Sequence, residues 1–459
     1  MLPLVAIARL TWKSAFRSKM FWVLAGALLA AVALLPAVVK GDGTARGFVQ
    51  VVLTYTLSLS AALLGFSTLW LSCGVMARDI EECQIQMVAV KPVGKWQIWA
   101  GKWIGLLMLN ACLLAVAGVS ILSVLEWRSR ELTPQQQKIL AEEVLVSRAS
   151  FKPLMPPLDD IARRQFESIP EMAKLKGQEA KDAYMSIAEA VYQNAQLIAP
   201  NASKGWQFDL GAKATQLRDQ PLYIRTRFYS ASTNSGSLYR CQWQFANSES
   251  DVRNDTPSMR LAADSFHEFA IPSSLIDSKG RLIVIYQNLE PVTLLFSLID
   301  SVEVLYRDGN FGFNLARGLA ILLAWLSLLS AIALAAASIT SFPVASFFTL
   351  SLLIVAWSGS SMAEAVANET VIAGSAMEFT TVRPIVDAIL LPLFKGLLTV
   401  LRLLDVASPI ESLSGGRSIS WLLVGSAWLQ IVLLAGGLSG LFGIWLLSRR
   451  ELASSQGSS

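Results

Sequence analysis

The residues able to do chemistry are concentrated in one short stretch. Between residues 77 and 103 the chain reads ARDIEECQIQMVAVKPVGKWQIWAGKW, carrying Arg78, Asp79, Glu81, Glu82, Lys91, Lys95 and Lys102. Long apolar runs flank it, over residues 49–76 and 104–125. Carboxylates and cations placed this way can grip a charged partner surface. A connection this short stays on one side of a membrane, and its lysines favour the cytoplasmic side. Residues 84–90 are mostly apolar with two glutamines, which suits a short helix lying on a surface. Pro92 ends that helix, because proline disfavours helical backbone in the residue before it. Gly94 turns the chain, and Lys95 to Lys102 lead back toward the bilayer.

Other chemistries lack their residues. A phosphate-cradling loop needs G-x-x-x-x-G-K-[ST]; Gly94 and Gly101-Lys102 miss that spacing, and Trp103 stands where Ser or Thr is required. No HExxH or GxSxG occurs, and the single His267 has no histidine partner for a zinc site or a triad. The cysteines are Cys73, Cys83, Cys112 and Cys241, of which Cys241 alone falls in a polar region, so they form no disulfide framework there. The expectation is a protein that is not an enzyme and holds no metal or cofactor of its own. Asp159, Asp160, Asp251 and Asp255 read as solvated surface. Trp206, Tyr223, Tyr229, Tyr239 and Trp243 could stack a sugar, but apolar packing explains them more simply. Glu364, Glu369 and Glu378 could border a substrate path or a hydrated loop.

Composition sets the class. Hydrophobic residues make up 53% of the 459 and mean hydropathy is +0.49. Charged residues are 16%, against about 25% in a soluble globular average. The net charge of +4 needs only positive cytoplasmic loops and gives no sign of nucleic acid as a partner.

The elements that would position the charged stretch follow in chain order. Residues 1–20 read as an amphipathic interfacial helix, with Arg9, Lys13 and Arg17 stacked on one face by their four-residue spacing. Spans are expected over residues 21–39, 47–77 and 103–125, giving a membrane segment 21–125 around the loop at 77–103. Residues 126–310 break the composition with mixed charges and frequent prolines, as an inserted soluble domain would. Its first part, 131–197, is rich in Ala, Glu, Gln and Lys and reads as helical. From about 205 to 308 short alternating runs such as LYIRTRFYS and RLIVIYQN predict an antiparallel β-sandwich. Residues 311–448 supply spans four to six, the fourth and fifth divided at SITSFP. Within them residues 384–405 hold Asp387, Lys395, Arg402 and Asp405, which suits an outer amphipathic segment better than a seventh span. Residues 449–459 would be a cytoplasmic tail. The fold class expected is thus a six-span helical membrane protein with an inserted α+β domain.

The phrase Lys91-Pro92-Val93-Gly94-Lys95, followed by Gly101-Lys102-Trp103, resembles type-2 ABC transporter permeases. In that family an arginine and acidic residues follow the second span and a KPV turn leads to a GKW re-entry. The closing Arg449-Arg450-Glu451-Leu452 is similar to the end of such permeases, and FHEFAIPSSLIDSKGRLIVIYQNLEP looks like the periplasmic sandwich of some of them. The resemblance implies an exporter subunit in the inner membrane with both termini cytoplasmic. It also implies a separate cytosolic ABC ATPase that binds the ATP, a second permease (the same or different), and contact with membrane lipid and a periplasmic partner. It assigns coupling to Arg78, Glu81, Glu82, Lys91, Pro92, Val93, Lys95 and Lys102. The alternative is a membrane-anchored binding or scaffold protein acting through its outer β-sandwich.

Overall fold

The structure, a computed structural model, describes residues 2–17, 19–38, 45–82, 93–130, 133–140, 145–218, 220–230, 238–246, 253–298, 300–367, 370, 383–403 and 408–449. The chain divides into two compact units: Met1–Val146 with Asn310–Ser459, and Ser147–Gly309.

The first unit is helical. Its main helices are α1 (Leu2–Arg17), α2 (Lys19–Val38), α3 (Ala45–Glu81), α4 (Lys95–Ser129), α5 (Phe311–Ala337), α6 (Phe342–Trp357), α7 (Gly359–Ala367) and α8 (Arg383–Leu403). The closing helix α9 (Trp421–Arg449) contains a π-wound stretch, Trp428–Gly436. About 20 apolar residues suffice to cross a bilayer. Val49–Glu81, Lys95–Ser129, Phe311–Ala337 and Trp421–Arg449 meet that requirement singly. Two bent pairs, Pro3–Arg17 with Phe21–Val32 at 67° and Phe342–Trp357 with Ser361–Ala367 at 54°, raise the number to six if each is one span. These long apolar helices are those of a multi-pass membrane protein.

Small residues set how closely the helices approach. The buried stripe Ala8, Thr11 and Ala15 of α1 faces α4. There a Cβ on Gly101 would lie 2.9 Å from Ile7 Cβ, and one on Gly105 2.7 Å from Thr11 Cβ. Two glycines four apart let helix backbones pack this tightly. Arg9, Lys13 and Arg17 remain exposed. On α9, Gly436 meets the ring of Trp103, and Gly440 and Gly443 meet that of Trp99. Trp99 is buried, and its ring lies 5.8 Å from that of Trp103.

The two longer helices of the second unit, Leu158–Ser168 and Gln178–Asn194, share a small core of Ala162, Ile187 and Val191. The strands of the chain are β1 (Val146–Phe151), β2 (Leu197–Ile198), β3 (Ser203–Asp209), β4 (Leu222–Thr226), β5 (Tyr229–Ser230) and β6 (Leu238–Ala246), then β7 (Arg253–Asp255), β8 (Met259–Ala262), β9 (His267–Ile271), β10 (Arg281–Asn288), β11 (Leu294–Leu295) and β12 (Val302–Asn310). They form separate sheets ordered β1-β12-β4-β9, β3-β10-β6-β7 with β8 on β6, and β2-β11-β5. Alternation explains the burial: β10 buries Leu282, Val284, Tyr286 and Asn288, and β6 buries Tyr239, Cys241, Trp243 and Phe245. One apolar core joins residues of the two larger sheets, with Trp243 of β6 5.5 Å from Phe269 of β9.

Two boundaries differ from the composition reading. Glu126 lies inside α4, which runs on to Ser129, and the second unit begins at Ser147. Residues 131–197 are not all helical, because Val146–Phe151 is a strand. Its partner β12 lies far along the chain, and such pairing decides strand formation more than intrinsic propensity does.

Candidate functional site

At one end of the helical unit four helix ends meet through the residues that flank the 83–92 connection. Lys102, buried in the second turn of α4, forms an ion pair with Asp79 near the end of α3 and donates to Val75 O at 2.7 Å. Glu81, two residues on, accepts the Phe342 N–H at 3.3 Å. Phe342 opens α6, where Ser341 provides no side-chain cap, so a carboxylate is favourable beside the free amides. The Arg78 guanidinium sits 5.6 Å from the centroid of the Phe342 ring. Lys95, first residue of α4, donates to Leu447 O at 3.3 Å and Ser448 O at 3.1 Å in the last turn of α9. A cation there satisfies carbonyls that a helix end leaves without partners. The Gly94 N–H is taken by Gln97 Oε1 at 3.3 Å, which fixes where α4 starts.

The expected coupling residues thus divide. Arg78, Glu81, Lys95 and Lys102 are engaged within the helical unit, and Val93 is half-buried against its core. Glu82 is exposed at the end of α3. Lys91 and Pro92, with Cys83, lie outside the described residues. Reasoning from the sequence missed Trp99, Gly440 and Gly443, and left Asp79, seen as a charge of the stretch, out of the coupling set. Lys102, a charge at the start of an apolar helix, was the available signal that Asp79 would have a partner; the glycine groove on α9 had its signal in the spacing of Gly436, Gly440 and Gly443.

The second unit places its candidates differently. Trp206, Tyr239 and Trp243 are buried in its core, with Trp206 and Trp243 stacked at 6.2 Å, so they offer no open platform. Tyr223 and Tyr229 are half-buried. His267 Nε2 is within hydrogen-bonding distance of Ser265 Oγ (2.9 Å) and Ala262 O (2.8 Å), a structural role. Asp159 and Asp160 are exposed in the first turn of their helix, where the free amides favour negative charge. Asp255 is exposed on β7, whereas Asp251, Glu369 and Glu378 lie outside the described residues. Burial pushes the Cys241 thiol up to about 12 and raises the neighbouring Tyr286 hydroxyl as well. Among the described residues no group of three or more His, Cys, Asp or Glu could hold a metal.

A second ionic arrangement crosses the β1-β12-β4-β9 sheet. Glu268 accepts from Arg148 Nη1 and Arg225 Nε, each at 2.8 Å, with all three side chains at most 10% exposed. The strand register sets Glu303 opposite Arg225 and Arg225 opposite Glu268. Opposite charges facing each other on neighbouring strands are favourable.

Compared with family models, curated proteins and solved structures, the chain matches none.

Proposed function

We propose that this chain is the membrane subunit of a type-2 ABC exporter, driven by a separate cytosolic ATPase that docks on the connection between α3 and α4. The observation that carries the reading is the junction of helix ends. The two sides of residues 83–92 are tied to α6 through Glu81 and to α9 through Lys95, and to each other through Asp79 and Lys102. A push on the connection therefore reaches four helices at once. A protein that only tethers an outer domain has no use for such a junction.

In this reading the two bent helix pairs each count as one span, giving six. The α1 helix lies in the interface, α8 lies at the outer face, and both termini are cytoplasmic. The sheets of Ser147–Gly309 form an outer β-sandwich. A second permease completes the pathway.

The test is co-purification with the cognate ABC ATPase. Glu81→Lys with Glu82→Lys places like charges against a basic groove, and such juxtaposition lowers association. Glu81→Gln keeps an oxygen for the Phe342 N–H and separates loss of the cap from loss of docking. The pair of lysines is expected to abolish co-purification while the glutamine variant retains it. Full retention with both lysines would remove the docking role.

A further inference from the structure

The opposite end of the helical unit carries a cation that no described carboxylate neutralises. Arg317, in the second turn of α5, donates from Nη1 to Ile419 O at 3.0 Å. Its guanidinium lies 5.0 Å from the centroid of the Trp421 ring, and its Nε has no hydrogen-bond partner. Among the described residues no carboxylate pairs with it. The backbone beneath is fixed independently: the Asn314 side chain donates to Arg417 O and accepts from Ile419 N–H, both at 2.8 Å.

The surroundings say what faces this cation. Phe313, one turn before Arg317, is 68% exposed, Trp421 is 65% exposed and Leu422 is 83% exposed. Two helices long and apolar enough to cross a membrane begin here, at Phe311 and Trp421. Exposed apolar side chains at such an end face lipid, and an aromatic residue beside a cation is typical of the headgroup level. A guanidinium stacked on a ring still presents in-plane donors; Nη1 is spent on Ile419 O and Nε is buried, so Nη2 is the donor left to meet a phosphate oxygen.

We propose that Arg317, between Phe313 and Trp421, binds the phosphate of a membrane phospholipid. An anionic headgroup is preferred, because a zwitterionic one brings its own cation to a site already positive. The inference does not depend on the transporter reading.

Native mass spectrometry of the full chain in neutral detergent tests it, with phosphatidylglycerol and phosphatidylcholine added in turn. The wild-type chain should retain one phosphatidylglycerol in preference to phosphatidylcholine. Arg317→Gln should lower that retention about fivefold, the change one basic residue near a lipid surface carries. Trp421→Leu leaves the Arg317–Ile419 bond in place and should lower it less, which serves if Arg317→Gln does not fold. Lys395→Gln, an exposed cation on α8, should change nothing. Unchanged retention in the folded Arg317 or Trp421 variant overturns the proposal. So does displacement of the lipid by millimolar inorganic phosphate, which would make this a site for the free anion.

Discussion

The two ionic arrangements differ in what they join. Arg148, Arg225 and Glu268 follow from strand register: once β4 pairs with β9 and β12, opposite charges fall into a row across the sheet. Asp79 and Lys102 follow from no register. They sit on two helices joined by residues 83–92, and they fix how α3 and α4 leave that connection. The first arrangement belongs to folding. In the proposed reading the second serves the transmission of a displacement, since each of its helices is fastened to a third or fourth helix end.

The comparison can be broken by removing the acid from each arrangement. Glu268→Ala removes the carboxylate shared by two guanidinium groups that cannot shed their charge, and leaves Glu303 opposite Arg225 in the register. Breaking a buried pair in this way costs about 3–5 kcal/mol. Protease resistance of residues 147–309 in the full-length protein should fall sharply on heating. An unchanged profile would mean the row contributes little. Asp79→Ala should cost less, about 1–3 kcal/mol, because Lys102 keeps its bond to Val75 O and an amine, unlike guanidinium, can be neutralised. Thermal unfolding of the helical unit in detergent measures it. If Asp79→Ala proves the more damaging, the division between folding and transmission is wrong.

A smaller effect sharpens the helical side. Gly443→Ala puts a Cβ 2.7 Å from Trp99 Nε1 and 3.0 Å from Ala335 Cα. Overpacking of this kind costs about 1–2 kcal/mol. It should be relieved in part by Trp99→Phe, which removes the indole nitrogen; the absence of any relief would place the strain elsewhere.

The smallest effect concerns the sheet core. The Cys241 thiol is buried and pushed up to about 12, so it stays protonated in the folded protein at pH 8. Alkylation there should need denaturant. Above the unfolded thiol's ordinary value the unfolded chain has lost a proton that the folded one keeps, so stability falls as pH rises toward 12 and is indifferent below about 8.5. Rapid alkylation of Cys241 in the folded protein would contradict this.

Alternation made β6 visible in the amino-acid order, because its buried face is apolar and its other face largely polar. The strand β10 alternates in burial, but its half-buried face carries Ile283 and Ile285, and it was legible as a β-branched run. Neither signal revealed β1, whose residues Val146 to Phe151 follow an Ala- and Glu-rich stretch and owe their conformation to β12. The charged stretch was legible as a location: seven charged residues between two apolar runs. Its internal pairing was not. Asp79 and Lys102 are separated by the connection itself, and Lys95 meets Leu447 and Ser448 only because α4 and α9 pack side by side. Charge density marks where a surface is polar, whereas helix packing decides which charges are spent inside.

The transmission claim is tested most directly by neutralising the junction without touching the connection. Asp79→Asn with Lys102→Met removes both charges together, so neither is stranded, and leaves Glu82 and residues 83–92 unaltered. Co-purification of the proposed ABC ATPase and ATP hydrolysis by the complex would be measured side by side. Binding should persist while stimulation of hydrolysis by this chain is lost. Wild-type stimulation in the neutral pair, with the ATPase still bound, would contradict this.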